Sequence, residues 1–454
     1  MPTGAQTGPD RGSPLQILGG ATSPAAQLAR AITARTLDEV QGERLTGRSI
    51  GLEGALLRLG PHATSLNEIG CIRAVAIGKA AVGMARAVGE ALGGRLDLGL
   101  AVTKLGAGEA VEGFTVLEAA HPTPDATSLS AGIAVADAVA GSRPGDLTLC
   151  LLSGGASALA ELPAEGMSLE ELSHLTTALL RSGAPIGELN AVRGCLSRLK
   201  CGGLARLAAP AQVVCLVLSD VLGNPLEVIG SGPCVDAAPD RRAARDVLHK
   251  RGLWDACPPS VRACLEQAPG AASAPVEARH VIVGDIDTAI RAASEAARGL
   301  GLRPLVVTNR LQGPADEAGR LLGALALELR DAASGGGHDC LILGGETTVT
   351  VRGSGLGGRC QVAAAVAAQA LRGTEGISVL AAGTDGTDGP TDAAGGLIDG
   401  RTALLAEEQG LDLERYLSES DSYHWLQGAG GLIRTGPTHS NVNDLHLVVA
   451  TRRR

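Results

Sequence analysis

Short apolar runs that close on glycine or a polar turn, and then give way to alanine- and leucine-rich stretches, recur along this chain and constrain its fold more than any other feature. Cys71-Ile-Arg-Ala-Val-Ala-Ile77 is such a run, closed by Gly78-Lys79. Ala80 to Leu92 then reads as a helix, and Leu98 to Thr103 as the next strand, closed by Lys104. Strand, glycine turn, helix and strand make the βαβ signature of a parallel sheet. The unit recurs at Asp146 to Leu152, followed by Ser153-Gly-Gly-Ala-Ser157, and at Gln212 to Leu218, followed by Ser219-Asp220. Leu169 to Ser182 and Asn190 to Leu207 read as helices between them.

A second alternation runs through strands at His280 to Val283, Arg303 to Thr308, Asp339 to Leu343 and Ile377 to Ala381, with helices at Thr288 to Leu300, Ala315 to Ala332 and Cys360 to Leu371. Thr347 to Arg352 alternates like a hairpin partner. Both halves therefore read as three-layer α/β. At 454 residues the chain is roughly three times a typical domain length, so two cores are expected. The boundaries predicted are a flexible tail over 1–24, an N-terminal Rossmann-like domain over 25–257 that starts with a helix from Ala25 to Arg44, a linker over 258–278 around Pro258-Pro259, and a smaller C-terminal α/β domain over 279–454.

Composition excludes several classes. Only Phe114, Trp254, Trp425, Tyr416 and Tyr423 are aromatic, so the cores must be packed from Ala, Leu and Val, and aromatic stacking on single-stranded nucleic acid is not expected. With 39 Lys and Arg against 48 Asp and Glu, the net charge of −9 disfavours a polyanionic partner. No run of about 20 apolar residues suggests a membrane span, and the Gly-, Pro- and Ser-rich start carries no hydrophobic signal region. A cytoplasmic protein with neither nucleic acid nor membrane as partner is the expectation. The ten cysteines form no CxxC pair, so neither a zinc site nor a disulfide framework is indicated.

In open parallel sheets, ligands sit outside the carboxyl ends of strands, and the notable side chains cluster there. Lys79 opens a helix after a strand, either as a solvated lysine or as an anion-binding ammonium. Ser153-Gly154-Gly155-Ala156-Ser157 is either a tight turn or a nest for an anion. Gly353-Ser-Gly355-Leu-Gly357-Gly358 matches the dinucleotide pattern G-x-G-x-x-G, but no ribose-binding acid ends a strand about 20 residues on, and Arg359 at the helix start suits phosphate or carboxylate better. Asp385, Asp388 and Asp392 share a glycine loop and are open to two readings, hard-cation or phosphate chemistry and Asx-type turns. His121 is open to a binding role or a rigid turn, and His439 and His446 read as structural. There is no P-loop, kinase motif set or nucleophile elbow.

Taken together, Ile77-Gly-Lys79-Ala, Val102-Thr-Lys104, His121-Pro-Thr-Pro-Asp125, Ser153-Gly-Gly-Ala-Ser-Ala158, Asn190-Ala-Val-Arg193, Leu196-Ser-Arg-Leu-Lys200, Ser219-Asp-Val221, Ser231-Gly-Pro233, Gly344-Gly-Glu346, Gly357-Gly-Arg359, Thr384 to Asp392 and Asn441-Val-Asn-Asp444 occur in an order that resembles the two-domain glycerate 2-kinases. That family has also been labelled hydroxypyruvate reductase, and its C-terminal part is the MOFRL domain. The resemblance spans about residues 70 to 450. It implies ATP-dependent, Mg²⁺-assisted phosphorylation of D-glycerate at the 2-hydroxyl in a cleft between the domains. It implies Lys79 and Arg359 as catalytic cations, and Asp220 and Asp385 as carboxylates that bind metal or activate the hydroxyl. Ser153, Gly154, Gly155, Ser157, Lys104, His121, Asn190, Arg193, Lys200, Glu346, Gly358, Asp388 and Asn441 are the implied substrate and nucleotide contacts.

The pattern is not matched everywhere: Ala156 and Cys201 stand where the family has Gly, Cys360 and Val362 where it has Asn and Glu, and His439-Ser440 where it has Gly-Thr. Two rivals follow, an NAD(P)-dependent hydroxypyruvate or tartronate reductase and a catalytically impaired, kinase-derived binding protein. The apolar helices are compatible with a homodimer.

Overall fold

A computed structural model describes residues 16–235, 240–267, 278–332 and 337–451. They fall into two compact units, neither of which is continuous in sequence. Met1–Val40, Ile286–Thr438 and Asn443–Arg454 form a mixed-sheet unit, and Gln41–Asp285 with His439–Val442 a parallel-sheet unit.

Residues 16–40 thus belong with the second half of the chain, unlike the expected boundaries. Most of the predicted tail lies outside the described residues, but β1 (Leu18–Gly19) pairs antiparallel with Ile433 and Arg434. The helix predicted from Ala25 to Arg44 is two helices, Pro24–Glu39 and Gly42–Ser49, and the unit boundary falls between them. The first starts where Ser23 Oγ accepts from Ala26 N and Pro24 supplies a pre-set φ. Its buried positions, Ala25, Ala29, Ile32, Thr36 and others, form one stripe against the helix Ile286–Gly299.

In the parallel-sheet unit the helix Gly42–Ser49 leads into a meander, β2 (Ile50–Glu53), β3 (Leu56–Leu59) and β4 (His62–Ser65), that the sequence pattern did not disclose. Then β5 (Ile72–Ile77), β6 (Leu98–Lys104), β7 (Thr115–Ala119), β8 (Leu147–Leu152), β9 (Gln212–Leu218) and β10 (Ala278–Gly284) form a six-stranded sheet. Every pairing in it is parallel, in the order β10-β9-β8-β5-β6-β7. β8 is buried at every position, as a strand covered on both faces must be. The chain winds outward from β5 through β6 and β7, then returns to β8 and winds the other way. Its topological switch point therefore lies between β5 and β8, the usual place for a ligand.

Three expectations are corrected in this unit. β10 was assigned to the C-terminal domain, yet His280 pairs with Cys215 of β9. Pro258-Pro259 starts a helix, Pro259–Glu266, because proline is tolerated in a first helical turn, while 268–277 of the expected linker lies outside the described residues. The helix predicted over Asn190 to Leu207 is split into Ile186–Leu196 and Gly203–Ala208, with Cys201 and Gly202 in left-handed backbone between them.

The remaining strands of the mixed-sheet unit are β11 (Pro304–Leu311), β12 (Cys340–Gly345), β13 (Ile377–Gly383), β14 (Gly395–Asp399), β15 (Leu432–Arg434) and β16 (Asp444–Ala450). The order is β1-β15-β14-β13-β16-β12-β11, and only β11 and β12 are parallel. β16 runs antiparallel between β13 and β12. Thr347 to Arg352 forms no hairpin; it makes a single bridge from Thr348 to Pro314. The helices Ala315–Ala332 and Arg359–Ala370 approach closely because a Cβ on Gly319 would come within 2.6 Å of Ala363 O. Alanine and glycine interiors of this kind are how a chain with so few rings fills its cores. Among the described residues no helix is long and apolar enough to cross a membrane.

The sequence-distant partnership of the first helix is testable. Ile32 is fully buried in it, and Ile32→Ala should cost about 2–5 kcal/mol. Measured by urea unfolding with Trp425 fluorescence in a Trp254→Phe background, the midpoint should fall with the slope unchanged. An unmoved transition would detach this helix from the mixed-sheet unit.

Candidate functional site

At the switch point, the ends of β5 and β8 are laced together. Gly78 has φ 137° and a Cβ there would overlap Ser153 Oγ, so the turn requires glycine. Lys79 N donates to Gly154 O (2.8 Å) and Ala80 N to Ser153 Oγ (3.0 Å). Ser153 is fully buried, which corrects its expected role: its hydroxyl closes the turn beneath the site and is covered from any ligand.

Gly154, Asp220 and Asn441 come together. A Cβ on Gly154 would overlap both Asp220 Oδ2 and Asn441 Nδ2, and Asn441 Nδ2 donates to Asp220 Oδ2 (2.7 Å). The amide thereby fixes the carboxylate just past the end of β9. Gly155, at φ 87°, lets the backbone pass His121, whose Nε2 would lie 3.1 Å from a Cβ, and Lys79 Cγ, 3.5 Å away. Lys104 ends β6 and is half-buried.

Beyond this turn lies a pocket of about 310 Å³, lined among others by His121, Gly155, Ser157, Glu161 and Arg193. Arg193 Nη2 donates to Ser157 Oγ, which lies 3.0 Å from Ser231 Oγ, and Ser231 Oγ donates to Asn190 Oδ1 (3.2 Å). Ser231 holds a left-handed φ of 63°, a strain that persists where surrounding contacts fix it. Lys200 is 1% exposed and ion-pairs with Glu161 Oε2, while Glu161 Oε1 accepts from Ser197 Oγ (2.6 Å). Burial lowers the Lys200 pKa to about 8 against the pull of Glu161. The expectation that Lys200 contacts a ligand is therefore corrected: its ammonium is sealed against a structural carboxylate.

In the mixed-sheet unit, Gly358 caps and Arg359 opens the helix Arg359–Ala370. Arg359 grips Asp444 with two N–H groups, Nε to Oδ2 (2.6 Å) and Nη2 to Oδ1 (2.9 Å), and Nη1 donates to Glu346 Oε1 (2.8 Å). Glu346 Oε2 accepts from Asn443 Nδ2 (3.2 Å). Burial works against the Arg359 charge, but the carboxylates of Asp444 and Glu346 prevail and hold its pKa well above the ordinary value.

The three loop carboxylates separate into three jobs. Asp385, half-buried, accepts from Thr387 N (3.0 Å). Asp388 is buried and accepts from Cys360 N (3.1 Å) and Gln361 N (2.8 Å). Burial pushes its pKa up to about 7 against those donors. Its expected ligand contact is corrected to a helix cap. Asp392 faces Tyr423 and Arg434 at the surface.

The G-x-G-x-x-G reading is overturned by packing. No strand runs into it, the preceding one ending at Gly345; a Cβ on Gly353 would come within 2.5 Å of Glu419 O, and one on Gly355 or Gly358 would overlap Asp421 or Asp388. These glycines admit neighbouring chain. A cleft of about 590 Å³ beside Gly355, Gly357 and Gly358 is lined also by Thr348, Val351 and Asp316.

Sequence reasoning missed Glu161, Ser231 and Asp444 as site residues. Glu161 and Lys200 each interrupt apolar sequence, and a matched pair of such interruptions was the available signal. Of the departures from the family pattern, Ala156 opens the short helix Ala156–Leu159, where a Cβ is at home. Cys201 (φ 47°) and His439 (φ 54°) sit where glycine would relieve strain.

Comparison with known proteins gives two family matches, one described as Domain of unknown function (DUF4147) over residues 28–266 and one as the MOFRL family over 339–444. The D-glycerate 2-kinase of Thermotoga maritima is 44% identical over 382 residues, covering 82% of this chain and 88% of that protein. The glycerate 2-kinase of Pyrococcus horikoshii is 38% identical over 395 residues, covering 85% and 88%. The crystal structure of glycerate kinase from Thermotoga maritima superposes with a TM-score of 0.82 at 40% identity, covering 94% of this chain and 99% of that one.

Glu161 and Lys200 test the buried pair. Glu161→Gln leaves a covered ammonium uncompensated and should cost about 3–5 kcal/mol. In urea unfolding, the double variant Glu161→Gln with Lys200→Met should recover much of that loss. Equal destabilisation by single and double variants would mean that the pair is not coupled.

Proposed function

Because this chain belongs to the glycerate 2-kinase family, we propose that it transfers the γ-phosphoryl group of ATP to the 2-hydroxyl of D-glycerate, giving 2-phosphoglycerate and ADP. The observation that carries this reading is sequence identity, along most of both chains, with a protein named D-glycerate 2-kinase. The local geometry suits it. Phosphoryl transfer needs little covalent chemistry from a protein and much positioning and charge stabilisation. Lys79 supplies a compact ammonium at the switch point, and Arg359 a guanidinium whose orientation Asp444 and Glu346 fix. A guanidinium already held in place costs no reorganisation as charge develops on a transferring group.

Asp220, whose carboxylate Asn441 orients, would accept the proton of the substrate hydroxyl. Mg²⁺ fits the residues present in one respect: Asp220 and Asp385 offer hard oxygen donors. Among the described residues no group of three or more His, Cys, Asp or Glu side chains forms a ready-made metal site, and Mg²⁺ ordinarily takes one or two carboxylates, with waters and substrate phosphates completing its shell. Asp220 or Asp385 would hold it, and it would supply neutralisation of phosphate charge.

Incubation with Mg-ATP and D-glycerate should give 2-phosphoglycerate, identified by ³¹P NMR, whose shift and coupling separate it from the 3-phosphate. Lys79→Met should lower kcat by about 100-fold or more with circular dichroism unchanged. Arg359 is better tested as Arg359→Lys, since its complete removal strands the buried Asp444. No product from wild-type protein, or undiminished turnover in both variants, would overturn the assignment.

A further inference from the structure

We infer that Arg193 is the residue that recognises the substrate carboxylate, and so selects a 2-hydroxy acid over uncharged analogues of the same shape; the inference rests on the kinase reading and deepens its substrate site. Arg193 lies on the helix Ile186–Leu196 and lines the pocket of about 310 Å³ beside His121, Gly155 and Ser157. Among the described residues its side chain makes one hydrogen bond, from Nη2 to the neutral Ser157 hydroxyl, and no ion pair. The carboxylate that lines the same pocket, Glu161, is committed to Lys200 and Ser197. Burial lowers the Arg193 pKa, and the more distant Glu161 offsets that only in part.

A half-buried guanidinium without a carboxylate is an unfinished arrangement, because charge withdrawn from water is normally paired. Arg359 holds two carboxylates of its own chain, whereas Arg193 is bonded to a neutral hydroxyl and still has an anion to receive. Its planar fork matches a carboxylate in two parallel hydrogen bonds, a fit a lysine lacks. Ser157, Ser231 and Asn190 form a hydroxyl and amide chain behind it that sets the plane of the fork before anything binds. Leu169, Leu172, Ser173 and Thr176 add methyl and hydroxyl groups to the lining. That lining suits a small hydroxylated carbon skeleton carrying one negative charge.

The test compares D-glycerate with D-glyceramide, which replaces the carboxylate by an amide, as acceptors for wild-type protein, Arg193→Gln and Arg193→Lys with Mg-ATP. Wild type should prefer D-glycerate by about 1,000-fold in kcat/KM. Arg193→Gln should raise KM for D-glycerate by about 100-fold, leave KM for ATP within about 3-fold, and lose most of the preference. Arg193→Lys should recover about 10-fold, since it restores the charge without the fork. Unchanged KM and preference in Arg193→Gln would overturn the inference while leaving the kinase reading intact.

If wild type phosphorylates neither compound, the kinase reading fails, and the inference is decided by binding. Thermal stabilisation by D-glycerate without nucleotide, present in wild type, absent with D-glyceramide and lost in Arg193→Gln, upholds it. Equal stabilisation of wild type and variant, or none of wild type, overturns it. Should Arg193→Gln not fold, Arg193→Lys carries both comparisons.

Discussion

The buried carboxylate of Asp444 is the interaction on which the mixed-sheet unit depends. It begins the antiparallel strand β16, opposite Gly345 of β12 and Gly383 of β13, and it receives two hydrogen bonds from Arg359 at the start of a helix packed on that sheet. A charge of this kind is tolerable in an interior only with its partner in place, so strand, helix and guanidinium specify one another. The flanking glycines are part of the arrangement. A Cβ on Gly345 would overlap Leu311 O, and one on Gly383 would stand 3.4 Å from Asp385 Oδ1 and 3.8 Å from Asp444 Oδ1. Room for carboxylates at this end of the sheet is made by leaving out side chains.

What the sequence discloses is mostly what period and punctuation encode. β5, β8 and β9, with the polar turns that close them, are visible because an apolar run ending in glycine has few other uses, and the turns that gather Lys79, Gly154 and Asp220 follow from that. Strand direction is not encoded in a period of two, so Leu445 to Ala450 gives no sign that it enters the middle of a sheet against its neighbours. Thr347 to Arg352 has the alternation of a strand but pairs through a single bridge, Thr348 to Pro314. The break after Leu196 depends on Cys201 adopting a conformation that its side chain disfavours, and propensity therefore reads straight through it.

Among the candidate site residues, the legible ones are those whose chemistry stands alone on a loop. Ser153, Lys200 and Asp388 look equally functional as letters, but each is turned inward to a hydrogen bond or ion pair formed only on folding. Burial separates such supporting residues from contacting ones, and it belongs to the tertiary structure. The same holds for the two arginines, indistinguishable in sequence, of which one is sated by its own chain and the other is not.

The discontinuity of the units has a consequence for synthesis. The helix Pro24–Glu39 leaves the ribosome well before its partner Ile286–Gly299 has been made, an interval of roughly 10–50 s at ordinary elongation rates. Meanwhile the parallel-sheet unit has all its strands and can fold. In doing so it brings its entry and exit together, since Gly284 lies so close to Leu45 that a Cβ there would overlap the leucine side chain. The long intervening loop is thus closed before the first helix needs its partner, and the entropy of joining segments so distant in sequence falls to that of joining near neighbours. The inserted unit acts as a folding clamp for the unit that surrounds it in the chain, and until it closes, the apolar stripe on that first helix lacks its cover.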